Sequence, residues 1–158
     1  MIDVSSDAQW VAAASKRRIA LWDAAAAREV VNWSPANDAS YWQVKVSPDG
    51  REIATVDFEN QKAVVLWDVS SRKQRRILTG SFSRCDWLEF SPDGRYLAAS
   101  FQDVGGAGEV VVWRRADGAV AWRLPFEEHA VACPSRKFDP GGIRQSQVRR
   151  RRILGFED

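Results

Sequence analysis

Hydrophobic and polar positions along this chain alternate in short bursts. "EIATV" at 52–56, "YLAAS" at 96–100, "VVLWD" at 64–68 and "VVVWR" at 110–114 are β-branched or alternate with period two, as half-buried strands require. "SPDG" at 47–50 and 91–94 is a turn, because Pro presets φ at its second position and Gly closes it. A strand follows each Trp-closed run ("RRILT" at 75–79, "AVAWRL" at 119–124) behind the polar turns "DVSSRK" and "RADG". Another strand leads into each SPDG turn ("SYWQVKV" at 40–46, "RCDWLEF" at 84–90). Only "DAAAARE" at 23–29 has helical character, and its place in the pattern makes it a loop feeding "REVVNW".

The bursts repeat. "VSSDAQWVAAAS" at 4–15 aligns with "VSPDGREIATVD" at 46–57 and "FSPDGRYLAASF" at 90–101, and "IALWD" at 19–23 aligns with the two later Trp-closed runs. Trp22, Trp67 and Trp113 stand 45 and 46 residues apart. Four short strands at a fixed period of this size predict the blades of a β-propeller. The expected fold class is therefore all-β, built from four-stranded antiparallel blades.

The units resemble the WD-repeat β-propeller family, whose hallmarks are a Trp-Asp pair ending the third strand and a Gly-His pair before the first. Trp22-Asp23 and Trp67-Asp68 keep the first pair, and Trp113-Arg114 loses the Asp. The Gly-His slot reads Ala36-Asn37, Gly80-Ser81 and Glu128-His129, each nine residues before a hydrophobic that opens a turn: Val46, Phe90 and Phe138. The "LWD" endings set the chain apart from propeller repeats that carry SPDG without Trp-Asp. The resemblance covers residues 4–142 and implies a structural hydrogen-bond network. Its members here would be Trp22, Trp67 and Trp113, with Asp103, Ser100 and His129 as weaker matches.

The phase of the repeat predicts the blade count. Residues 4–33 supply the last three strands of a unit and lack the first. Residues 40–79 and 84–124 are complete blades, and 131–142 holds one further first strand followed by "DPGG". Residues 143–158 carry no strand pattern and read as a basic, disordered tail. About three blades' worth of repeats is fewer than the roughly four to eight a closed propeller uses, so open sheet edges are expected. The expectation is a piece of a longer propeller, ahead of a subunit that self-associates to complete the ring, and ahead of an open arc.

Composition adds class limits. The chain has 158 residues, 45 % hydrophobic and 28 % charged, which is globular and not disordered. No apolar run nears the ~20 residues of a membrane helix, and the N-terminus lacks the basic and apolar regions of a signal peptide. With Cys85 and Cys133 outside any metal or disulfide spacing, reduced thiols in a cytoplasmic protein are expected. Residues 144–158 hold five Arg against two acids, while the rest holds 18 Lys+Arg against 19 Asp+Glu, so the basic excess lies in the tail.

No constellation for catalysis is legible. The single His, His129, falls in the Gly-His slot and reads as a structural anchor. Asp49 and Asp93, beside Gly50 and Gly94, read as turn caps and not as a paired-carboxylate site. "GGAG" at 105–108 lacks the Lys-Ser/Thr of a phosphate loop and reads as a hairpin insertion. Two features carry binding potential. The enlarged hairpins at 56–62 and 101–108 should emerge on one face, with Phe58 and Phe101 as apolar candidates; Trp42 and Trp87 on first strands either line a funnel or pack between blades. The Arg-rich stretch Arg144–Arg152 could meet nucleic acid, although it lacks interleaved aromatics. The function expected is a non-enzymatic scaffold presenting loops to a protein partner, with no cofactor and no metal. The rival readings are an accessory regulatory propeller of a multidomain signalling protein and, third, a nucleic-acid module acting through the tail.

Overall fold

A computed structural model of the chain describes residues 1–35, 40–57 and 61–126. The described residues contain twelve strands and no helix, in the order β1 Ile2–Val4, β2 Trp10–Ser15, β3 Arg18–Asp23, β4 Arg28–Trp33, β5 Tyr41–Val46, β6 Glu52–Asp57, β7 Ala63–Asp68, β8 Lys73–Thr79, β9 Arg84–Phe90, β10 Tyr96–Gln102, β11 Gly108–Arg114 and β12 Val120–Phe126. They form three four-stranded antiparallel sheets, β1–β4, β5–β8 and β9–β12, each a meander in chain order. Each sheet is one propeller blade. No described segment is a helix long and apolar enough to cross a membrane.

The first unit departs from expectation. It does have a first strand, because Ile2, Asp3 and Val4 pair with Ala13, Ala12 and Val11. At three residues, β1 is too short to show a period. The Ala-rich stretch after Asp23 is a turn leading into β4, as its repeat position requires.

Blade faces follow from the register. Val46, Ile53 and Trp67 lie in line across the second sheet, with Val44 on the same face, and pack on Ala12, Ala14, Ile19 and Leu21 of the first blade. The opposite face, with Ala54, Val56, Val64 and Leu66, packs on Leu88, Leu97, Ala99, Phe101 and Trp113 of the third. The core of each seam is apolar because these patches do not reach water. Trp67 and Trp113 are therefore buried, while Trp22, on the outer face of the first blade, is half-buried. Trp122 and Leu124, on the outer face of the third blade, are exposed. The likeness of the repeats extends to irregularities: the third and fourth strands of every blade slip register at the Trp, leaving Val30, Arg75 and Ala121 as bulge residues.

The Trp-Asp pairs act as turn caps. Asp23 accepts the Ala26 N–H, and Asp68 accepts the Ser71 N–H together with the Ser70 and Ser71 hydroxyls. These donors hold the Asp68 carboxyl down to about 2. Where Arg114 replaces the Asp, Asp117 takes over: it accepts from Arg114 and from the Ala119 N–H. The lost Trp-Asp is thus replaced within the same turn.

Candidate functional site

At one edge of the blades lie the turns before each second strand, and all three share one hydrogen-bond pattern. Ser47 Oγ donates to Asp49 Oδ1 (2.7 Å), Asp49 accepts the Arg51 N–H, and Ser47 Oγ accepts the Glu52 N–H (2.9 Å). Ser91, Asp93, Arg95 and Tyr96 repeat it, as do Ser5, Asp7, Gln9 and Trp10. The Asp93 carboxyl is held to about 2 by the Ser91 hydroxyl first, then by the Arg95 backbone and side chain. Asp49 and Asp93 thus cap their own turns.

What differs is the residue closing each pattern, because it meets the next blade. Trp10 lies under Gly50, where a Cβ would stand 2.5 Å from the indole, and it packs in the same cluster as Val69. Glu52 occupies the equivalent position one blade on, and Arg115 stands where Val69 did. The Glu52 carboxylate is buried and pairs with both Arg115 and the bulge residue Arg75. Arg115 also reaches Asp49 with both carboxylate oxygens at 2.9 Å, and the Gly94 carbonyl. Burial opposes the charge on Arg115, but its hydrogen bonds to Glu52 and Asp49 outweigh this and raise its pKa. Arg76 adds a latch, donating to the carbonyls of Arg115 (2.9 Å) and Ala116 (3.0 Å).

Because a carboxylate replaces the indole, this second seam is open. It forms a groove of about 780 Å³ lined by Asp49, Glu52, Asp68, Tyr96 and the guanidiniums of Arg51, Arg75, Arg95, Arg114 and Arg115. Along the innermost strands, Lys45 bridges Asp3 (3.0 Å) of the first blade and Glu89 (2.8 Å) of the third. Burial opposes the Lys45 charge, and the hydrogen bonds it donates to Glu89 and Asp3 overcome this, so its pKa is raised.

The opposite edge carries the enlarged hairpins. The carbonyl of Gln61 accepts the Cys85 N–H (2.8 Å), and Asp103 accepts the Ser83 N–H (2.8 Å) and hydroxyl (2.5 Å), tying the loops to the blades. Val104 at the tip of the β10–β11 hairpin is fully exposed. Trp42 is exposed at the same edge, at the bulge between Tyr41 and Gln43, while Trp87 is half-buried on the outer face of the third sheet, opposite Ser100.

Phe101 requires correction as a binding residue. It is fully buried, edge-on to Trp113 with centroids 6.0 Å apart, because β10 runs on to Gln102 and period two turns Phe101 inward with Leu97 and Ala99. Gly80 admits it, since a Cβ there would meet the ring at 2.4 Å. Ser100 lies on the other face from Trp113, so it cannot join a network with that indole. The hydroxyl partner found is Thr55, whose Oγ1 accepts from Trp67 Nε1 at 2.8 Å in the core. Sequence reasoning missed Thr55, although Ala13 and Ala99 at the equivalent positions show why only one blade has this bond. Cys85 is a buried free thiol, pushed up to about 12 by burial. Phe58, His129, Cys133, the strand expected at 131–138 and the Arg-rich tail lie outside the described residues.

No family model and no curated protein matches the chain. Solved structures do. Hydrazine synthase of Kuenenia stuttgartiensis matches with a TM-score of 0.61 at 21 % identity, over 80 % of this chain and 37 % of that one. The WD40 repeats of RRP9 match at 0.59 and 20 %, and U3-55K at 0.58 and 20 %, each over 78 % of this chain and 37 % or 38 % of the other. The chain thus spans under two-fifths of these neighbours, and at such identity the likeness establishes the fold: the described residues are three blades of an incomplete β-propeller, like those of WD40-repeat structures.

Proposed function

We propose that the chain is a non-catalytic propeller module that presents its hairpin edge to a protein partner. The observation carrying this reading is Val104, an aliphatic side chain held wholly in water at the tip of a loop anchored by the Asp103–Ser83 bonds. An exposed apolar tip on a rigid base offers contact area with little ordering entropy to lose. The acids of the groove at the other edge support a non-catalytic reading. Glu52 is held by two arginines, Asp49 by Arg115 and its own turn, and Asp68 by Ser70 and Ser71, so each is already committed as an acceptor. The test is co-purification from the native host with Val104→Asp in parallel. Loss of a specific partner with unchanged melting supports the reading, and retention of every partner refutes it. A propeller serving a larger signalling protein would use the same edge, with the partner supplied in cis.

A further inference from the structure

The groove between the second and third blades lies on the edge opposite the hairpins, so what it binds is independent of the reading above. The first seam shows that its slot closes without charge, with Trp10 against Gly50 and Val69 beside it. In the second seam a buried carboxylate and a nearly buried guanidinium take the same places and leave about 780 Å³ open, a volume in the usual range of ligand sites. Every lining acid is already bound from within. The arginines are not all spent: Arg51 is exposed and its guanidinium has no partner among the described residues, and Arg75 and Arg95 each commit only one nitrogen to an acid. The donors left over therefore face solvent around a floor whose negative charge is neutralised.

We propose that this groove binds an acidic peptide segment, taking its carboxylates on Arg51, Arg75 and Arg95. Guanidiniums spread along a groove suit a row of carboxylates, each met by a planar fork of donors. Tyr96 does not offer a stacking platform for a nucleic-acid base. Trp122 packs on its ring at 5.1 Å and Arg95 lies over it at 5.9 Å, which favours peptide over single-stranded nucleic acid.

The test uses the full chain and a fluorescein-labelled Glu/Asp-rich decapeptide, read by anisotropy at low and physiological salt. The neutral Gln/Asn decapeptide and a single-stranded oligonucleotide serve as comparators. The expected result is salt-sensitive binding of the acidic peptide alone, weakened about tenfold or more by Arg51→Glu. Because Arg51 is exposed and its guanidinium has no partner among the described residues, that variant should melt like the parent. Replacing Arg149–Arg152 by Gln should leave the affinity unchanged, which separates the groove from the tail. Filling the groove with Glu52→Trp and Arg115→Val together should abolish binding while the protein stays folded. Absence of binding, affinity indifferent to Arg51→Glu, loss with the tail variant, or tighter oligonucleotide binding at Arg51 would each overturn the proposal.

Discussion

Exchanging the ionic slot of the second seam for the apolar slot of the first tests how these blades are held together. Glu52 has a side chain 1 % exposed, and its partners Arg115 and Arg75 are 15 % and 41 % exposed. Stripping one partner from a buried ion pair costs about 3–5 kcal/mol, because the other charge stays behind in a poor solvent. Arg115→Val leaves Glu52 with the more exposed Arg75, so its cost falls at the low end, about 3 kcal/mol. Glu52→Trp strands Arg115 against an indole and should lose about 2–4 kcal/mol from unmet donors and overpacking. Made together, the two changes reproduce the Trp10–Gly50–Val69 arrangement over Gly94, whose turn is the same as that at Gly50. Asp49, with its side chain 41 % exposed, can take up water when Arg115 leaves. The Arg76 latch persists, since it uses backbone carbonyls.

The double variant should therefore stand within about 1 kcal/mol of the parent, as replaced buried ion pairs commonly do, giving a coupling of at least about 4 kcal/mol between the sites. Urea unfolding followed by Trp fluorescence measures this, provided the slope m stays constant across the four proteins. If the double variant loses the sum of the single losses, the two slots are not equivalent and the seam argument fails.

Ala8 holds φ 58 at the position where Gly50 and Gly94 hold 66 and 67, so Ala8→Gly should stabilise by about 0.5–1 kcal/mol in thermal melts. Gly50→Ala meets both an unfavourable left-handed φ and the Trp10 ring and should cost more than about 2 kcal/mol, whereas Gly105→Ala, with open space around it, should be nearly silent. Thr55→Val removes the acceptor of a buried indole N–H and should cost about 1–3 kcal/mol by urea unfolding, a loss that Thr55→Ser largely avoids. The carboxyls of Asp68 and Asp93 sit at about 2 in the folded state, below the ordinary ~3.9. Their contribution is complete above about pH 4 and disappears as pH falls toward 2, so Asp93→Asn should flatten stability against pH in that window. Trp122 and Leu124 leave the outer face of the third blade apolar and exposed, so light scattering should show concentration-dependent self-association that Trp122→Gln with Leu124→Gln reduces; a monomer at all concentrations refutes this.

Most of the blade pattern was legible because period two, Pro-Gly turns and a recurring Trp are local signals. Where reading failed, the deciding contact was not local. Residues Ile2–Val4 gain strand character only by pairing with Val11–Ala13. Phe101 reads as the first residue of a loop until β10 is carried to Gln102, which turns it inward with Ala99. Glu52, in "GREIATV", reads as a solvent-facing carboxylate. Its burial depends on Arg115, 63 residues later in the next blade, and no pattern around Glu52 announces that partner. Thr55 was recoverable, since it stands two residues from Ile53, the partner of Trp67, and so shares the face of that indole.

The retained charge at the second seam has two physical explanations. Buried ionic groups can fix which surfaces pair, and a charged slot between apolar ones would keep the blades in order. That account needs only Glu52 and one arginine. It does not explain why Arg75 is turned onto the same carboxylate by a bulge, why Arg51 stands beside it with no partner among the described residues, or why the volume released by the smaller side chain stays open. A registry device is best closed, because an unfilled cleft beside buried charge lets water weaken the pair. An open cleft ringed with surplus donors is what a ligand site requires, and the buried pair then serves as its floor, cancelling the Glu52 charge that would repel an anion. Order between blades is already supplied elsewhere, by Lys45 between Asp3 and Glu89 on the innermost strands. The seam is therefore better explained as a site than as a lock.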